Sequence, residues 1–130
     1  MENLATYFFA SYGTVKAVDK ISFEVTKGES IGLVGESGSG KSTVALSVIR
    51  LVPRPGKIAG GKILFNEQDL VSVSEAEMKN VRGRDIAMSF QDPMTFLNPV
   101  MRIEDQIAEV CVRHLGMSKS DAIKRAVDVM

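Results

Sequence analysis

Residues Gly35 to Thr43 read GESGSGKST, and Gly35, Gly40, Lys41 and Ser42 satisfy the spacing G-x-x-x-x-G-K-[ST]. Glycines so placed let the backbone turn tightly and present several N–H groups to phosphate oxygens, with the positive end of a following helix behind them. A lysine at the next position reaches β- and γ-phosphates, and the hydroxyl after it can ligate Mg²⁺. The chemistry predicted for this stretch is therefore the cradling of a nucleoside triphosphate. A dinucleotide fingerprint is the competing use of such glycines. In Gly38-Ser39-Gly40-Lys41-Ser42-Thr43, however, threonine stands where a third small residue would let helix and strand pack closely.

A phosphate loop needs a strand before it and a helix after it. Ser30 to Val34, SIGLV, is a short apolar run suited to a buried parallel strand, bounded by Lys27-Gly28 and by Gly35. Ser42 to Val52, STVALSVIRLV, is apolar nearly all round, as in a helix held against a sheet, and Pro53, Pro55 and Gly56 would end it.

The remaining elements follow from periodicity and capping. Leu4 to Phe9, Lys16 to Val25 and Lys62 to Asn66 read as strands of an antiparallel layer, the second alternating Ile21, Phe23 and Val25 with Ser22, Glu24 and Thr26. Ser74 and Glu77 form a capping-box pair that opens a short helix over Ser74 to Asn80. Asp85 to Phe90, DIAMSF, reads as a second core strand. Ile103, Ile107, Val110, Cys111 and His114 share one face of a helix from about Arg102 to Leu115 that Gly116 can terminate. Ser118 and Asp121 open a last helix still in mid-pattern at Met130, which reads as the first portion of a longer protein.

Composition narrows the classes. A chain of 130 residues that is 45% hydrophobic can build one core. Sixteen basic residues balance sixteen acidic ones, so no basic excess points to nucleic acid. No run of about 18 apolar residues suggests a membrane span, and MENLATYFF lacks the pattern of a signal peptide. The single cysteine, Cys111, has no partner for an internal disulfide, which fits a reducing compartment.

Four stretches in order, AVDKISFEV (Ala17 to Val25), GESIGLVGESGSGKST (Gly28 to Thr43), GKILFNEQDL (Gly61 to Leu70) and IAMSFQDPMTFLNP (Ile86 to Pro99), resemble an ABC-transporter ATP-binding subunit. Within that superfamily GESGSGKS, FQDPM and LNP are similar to the dipeptide and oligopeptide importer branch, which includes nickel importers. The resemblance covers essentially the whole chain. It implies an α/β fold: a P-loop NTPase core with a RecA-like parallel sheet, an antiparallel β subdomain and the start of a helical subdomain, truncated. Residues 1–130 would be the N-terminal part of an ABC nucleotide-binding domain.

The resemblance also implies roles. Gly35, Ser37, Gly38, Ser39, Gly40, Lys41, Ser42 and Thr43 would bind ATP, with Ser42 on Mg²⁺ and Thr43 at the α-phosphate. Gln91 would bridge Mg²⁺ and the attacking water, a task for a neutral amide that ligates through its carbonyl without adding charge. Lys41 and Gln91 are thus the catalytic candidates. Asp92 to Pro99 would dock onto membrane-embedded permease subunits at the cytoplasmic face, alongside a second ATP-binding subunit and an extracytoplasmic solute-binding protein. For the aromatic that stacks on adenine, Phe8 is favoured over Tyr12. The activity implied is ATP hydrolysis coupled to import of peptides or a related solute.

The sequence departs from the pattern at Phe96, where serine is usual, and at Ser89, where an aliphatic is usual. No LSGGQ-like signature follows Gln91, no apolar strand ends in Asp-Glu, and His114 precedes where a signature would fall, so it reads as structural. These 130 residues alone are expected to be inactive or nearly so. Three readings stay open beside the transporter motor: a soluble ABC ATPase acting on nucleic acid, a small-molecule kinase, and a non-catalytic nucleotide-binding module. The seven arginines are scattered, against the clustered lid that a kinase needs.

Overall fold

The structure, a computed structural model, describes residues 1–92 and 96–130. The chain divides into two units, Met1–Met78 and Lys79–Met130.

The first unit is built on a three-stranded antiparallel sheet of order β2-β1-β3, formed by β1 (Glu2–Ala10), β2 (Gly13–Ile21) and β3 (Gly56–Lys62). β1 takes the centre because it pairs on both edges, Phe8 opposing Val15 on one side and Gly56 on the other. Leu4, Ala5 and Thr6 are buried along it, and the helix α1 (Lys41–Val48) packs against β1 and β2. A second hairpin, β4 (Leu64–Phe65) and β5 (Gln68–Asp69), turns through Asn66 and Glu67, both at positive φ of 48° and 66°. Two such residues make the mirror-image turn whose twist suits a two-residue hairpin.

Several elements differ from the sequence expectations. β2 stops at Ile21, leaving 22–25 outside the ladder. Lys62 to Asn66 is split between the end of β3 and the two residues of β4. The helix expected to reach Val52 ends at Val48, with Ile49 as its cap. Arg50 adopts φ 53°, its N–H donates to Ser47 O at 3.1 Å, and Leu51 N–H donates to Leu46 O at 2.8 Å. These paired bonds around a left-handed residue are a Schellman ending, closed here by an arginine in place of the usual glycine.

The parallel strands are the larger correction. Neither Ser30–Val34 nor Asp85–Phe90 joins a ladder among the described residues, apart from one isolated parallel bridge between Arg82 and Ile86. A parallel strand is stable only with hydrogen-bonded neighbours, and the three long strands described pair only antiparallel with one another, in the order β2-β1-β3. Ile31, Leu33 and Val34 are accordingly exposed, Val34 almost fully at 97%. The α/β class stands, with an antiparallel sheet as its ordered β layer.

The capping expectations hold in detail. Ahead of α2 (Glu75–Val81), Glu77 N–H donates to Ser74 Oγ at 3.2 Å while Ser74 N–H donates back to Glu77 Oε2 at 2.8 Å. In the second unit, α3 (Ile103–Leu115) ends at Gly116 in the left-handed region, and α4 (Lys119–Val129) opens with Asp121 N–H donating to Ser118 Oγ. The two helices pack through Ala108, Ala122 and Ala126, with Ile107, Cys111, Met117 and Ile123 around them. Small side chains at these positions let the helices approach closely, and an ion pair of 3.7 Å between Lys119 and Asp105 spans them.

Candidate phosphate-binding site

The glycine loop leads directly into α1, whose cap is Gly40 at φ 91°. A Cβ built there would lie 2.3 Å from the Ala17 carbonyl oxygen of β2, so only glycine fits both the conformation and the approach. A Cβ at Gly35 would stand 2.8 Å from Ser39 Oγ, inside the loop. The loop is closed by a turn in which Ser39 N–H donates to Glu36 O at 3.2 Å. These features hold the loop tightly against β2 and on itself.

Lys41 is the first residue of α1, and its ammonium folds back into the loop. It donates to Gly35 O and Glu36 O, both at 2.7 Å, and to Ser39 Oγ at 3.2 Å. The first turn of α1 holds no acidic side chain, whereas α2 and α3 carry two each there and α4 one. No carboxylate of its own first turn thus offsets the positive end of its dipole. Ser42 is exposed on this turn and Thr43 half-buried beside it.

A cavity of about 340 Å³ opens over this turn, lined by Ala17, Val18, Asp19 and Ile21 of β2, by Leu33 to Gly35, and by Ser39, Gly40, Lys41 and Val44. At its rim the Tyr7 hydroxyl donates to Asp19 Oδ1 at 2.6 Å, and Lys16 approaches the same carboxylate at 3.4 Å. The Tyr7 hydrogen bond holds the Asp19 carboxyl below the usual aspartate range, and the same bond raises the Tyr7 phenol. The sequence signal for these wall residues is slight: they fall in the strand expected over Lys16 to Val25, with nothing to say which end it would lean over.

The structure gathers Gly35, Ser39, Gly40 and Lys41 around one cavity. Ser37 and Gly38 are exposed in the loop before it. The aromatic candidates lie elsewhere: Phe8 is half-buried mid-sheet between Val15 and Gly56, and Tyr12 is 87% exposed at the β1–β2 turn. Neither lines the cavity. Gln91 is exposed in a bend of the second unit, after residues 87–90, which join no helix or strand. Of the docking segment Asp92 to Pro99, residues 93–95 lie outside the described residues. Phe96 stacks on Phe90 at 4.0 Å, and the Gln106 side chain donates to the carbonyls of Asn98 and Met101, each at 3.1 Å. His114 packs against Gly83, where a Cβ would meet its Nε2 at 3.2 Å, in keeping with a structural histidine.

A glycine loop capping a helix, with its lysine drawn into the loop and an antiparallel sheet alongside, defines the class: an α/β domain of the P-loop type. Two solved structures share the fold. The dimeric structure of MJ0796, a bacterial ABC transporter cassette, superposes with a TM-score of 0.81 at 21% identity over 98% of this chain and 53% of that one. A post-hydrolysis state of the same cassette bound to ADP and Pi gives 0.79. The chain belongs to the ABC transporter family, whose model matches residues 18–129. Among curated proteins it is 47% identical to the oligopeptide transport ATP-binding protein OppD of Bacillus subtilis (strain 168), and 43% identical to the dipeptide transport ATP-binding protein DppD of Escherichia coli (strain K12). Each alignment takes in the whole of this chain, which spans 37% of the former relative and 40% of the latter.

Proposed function

We propose that this chain is the nucleotide-binding portion of an ATP-driven importer of peptides or a related solute. The observation that carries the reading is the convergence of Gly40 and Lys41 at the start of α1 on the cavity beside β2. The relatives, named for oligopeptide and dipeptide transport, supply the solute class.

The loop fits a triphosphate. Gly40 lets α1 begin tight against the Ala17 carbonyl of β2 at the cavity wall, and Lys41 sits among loop oxygens from which its charge can turn to phosphate. The Ser42 hydroxyl, exposed at the start of α1, is a donor suited to Mg²⁺, and the resemblance adds Gln91. Among the described residues no three acidic, histidine or cysteine side chains gather as a metal site. The ion would rest on the Ser42 hydroxyl, the Gln91 amide carbonyl and phosphate oxygens, as is usual for a cation that keeps few protein ligands. Bound there, it would neutralise charge on the phosphates. Lys41 would hold the β- and γ-phosphates, Thr43 the α-phosphate, and Gln91 would orient water.

No helix among the described residues is long and apolar enough to cross a membrane. Attachment at the cytoplasmic face would therefore come through permease subunits docking near Asp92 to Pro99. A second ATP-binding subunit and a solute-binding protein would complete the machine. The test is calorimetric titration of residues 1–130 with ATP and Mg²⁺: binding that Lys41→Ala weakens at least about tenfold supports the reading. Hydrolysis by these residues alone should be negligible, and sustained turnover abolished by Lys41→Ala would overturn that part. Retention on single-stranded DNA or RNA in place of permease would favour a nucleic-acid ATPase.

A further inference from the structure

Two hydroxyls outside the phosphate loop are the most completely buried polar side chains described. Thr6 of β1 and Ser47 of α1 are both 0% exposed, and their oxygens stand 2.8 Å apart. Ser47 Oγ also donates to the carbonyl of Thr43, one turn earlier, at 2.6 Å. A hydroxyl has a single proton to give. With that of Ser47 committed to Thr43 O, the proton between the two hydroxyls belongs to Thr6. The result is a one-way chain: Thr6 O–H to Ser47 Oγ–H to Thr43 C=O.

Thr6 is placed for this by an irregularity in the sheet. Its register slips on both edges, between Leu4 and Thr6 and between Thr6 and Tyr7 against β2, and between Ala5 and Thr6 against β3. Such slips bend a strand and re-aim a side chain, and they recur beside functional sites. Here the re-aimed side chain meets the one helix that begins with Lys41, Ser42 and Thr43. A serine that bonds back to the carbonyl four residues earlier also tends to bend its helix, so the chain acts on the helix turn that bears the phosphate-binding side chains. At the start of the same helix, Gly40 rests on the Ala17 carbonyl of β2.

We propose that Thr6 and Ser47 are positioning residues of the phosphate site: their buried hydroxyl chain, ending on Thr43 O, sets the orientation of the Lys41–Thr43 turn. The consequence for ATP rests on the nucleotide-binding reading above; the effect on the turn itself does not.

The test compares Thr6→Val, which keeps the shape and removes the hydroxyl, with Thr6→Ser, which restores it, in the 130-residue chain. Without nucleotide, amide NMR shifts of Gly40 to Val44 should move in Thr6→Val and return in Thr6→Ser. With ATP and Mg²⁺, affinity should fall about fivefold in Thr6→Val, the scale of one buried hydrogen bond, and recover in Thr6→Ser. Loop amides that stay in place in a folded Thr6→Val variant would overturn the proposal. Should Thr6→Val not fold, Ser47→Ala carries the same two readouts, since it cuts the chain at its middle without adding volume. A wild-type chain that shows no Lys41-dependent ATP binding would sink the nucleotide reading alone, because the nucleotide-free shifts still decide the positioning role.

Discussion

The ammonium of Lys41 and the carbonyl of Gly35 stand 2.7 Å apart, joining the first residue of a helix to the first residue of the loop that precedes it. With Glu36 O at the same distance, the lysine gathers the loop around its own charge. Removing that charge takes away the organiser and, on the proposed reading, the phosphate partner. Lys41→Ala is expected to lower ATP affinity by between about tenfold and a hundredfold, the range for charged hydrogen bonds. Lys41→Arg should recover little, because a planar fork cannot reproduce three diverging ammonium donors. Titration calorimetry on both variants decides it, and an Arg variant of native affinity would count against the geometry.

The hydrogen bond from the Tyr7 hydroxyl to Asp19 Oδ1 makes the cavity rim sensitive to pH at both ends. Asp19 has a depressed carboxyl, first because Tyr7 donates to it. Its contribution is present above the ordinary aspartate range and is lost as pH falls through the lowered folded value. Tyr7 has a raised phenol through the same bond, so its share is present below the ordinary tyrosine range and is lost as pH rises through the raised value. Tyr7→Phe should return the Asp19 titration upward. Carbon-detected NMR titration of the carboxylate measures this directly, and an unmoved midpoint in Tyr7→Phe would refute the assignment.

What was legible in the sequence was local. The Ser74–Glu77 and Ser118–Asp121 caps and the Gly116 stop each depend on residues within a few positions of one another, and each formed as read. What was not legible depends on partners far along the chain. Ser30 to Val34 has the composition of a parallel strand, but composition cannot supply the neighbours that a parallel ladder requires. Thr6 and Ser47 are 41 positions apart, and single hydroxyls in apolar segments give no sign of meeting. The early end of α1 was hidden for a third reason: the left-handed residue that closes it is an arginine, which carries no sequence signal for that conformation.

Gly40 and Gly38 separate conformational strain from steric conflict. Both have positive φ, 91° and 80°, but a Cβ at Gly40 would strike the Ala17 carbonyl whereas one at Gly38 meets nothing within 4 Å. Gly38→Ala should therefore cost only the left-handed penalty of about 1–2 kcal/mol. Gly40→Ala adds a backbone clash that no rotamer relieves and should cost about 3 kcal/mol or more. Urea unfolding of the two variants gives the comparison; equal losses would mean that Gly40 does not rest on β2.

Arg50 combines a strained backbone with a well-used side chain, and two substitutions can part them. Its guanidinium donates to Leu70 O at 3.2 Å and Val73 O at 2.6 Å, with Glu75 Oε2 at 3.8 Å, so it ties the end of α1 to the segment before α2. Arg50→Ala leaves those carbonyls without this donor and keeps the left-handed strain at φ 53°, for a loss of about 2–3 kcal/mol. Arg50→Gly loses the same hydrogen bonds but relieves the strain, so it should be the more stable of the two by about 1 kcal/mol. Arg50→Lys should fall between wild type and Arg50→Ala, since one ammonium cannot span both carbonyls and the carboxylate as the guanidinium does. Chemical denaturation of the three variants tests the order, and a glycine variant less stable than the alanine one would show that the Schellman ending is not what holds Arg50 in the left-handed region.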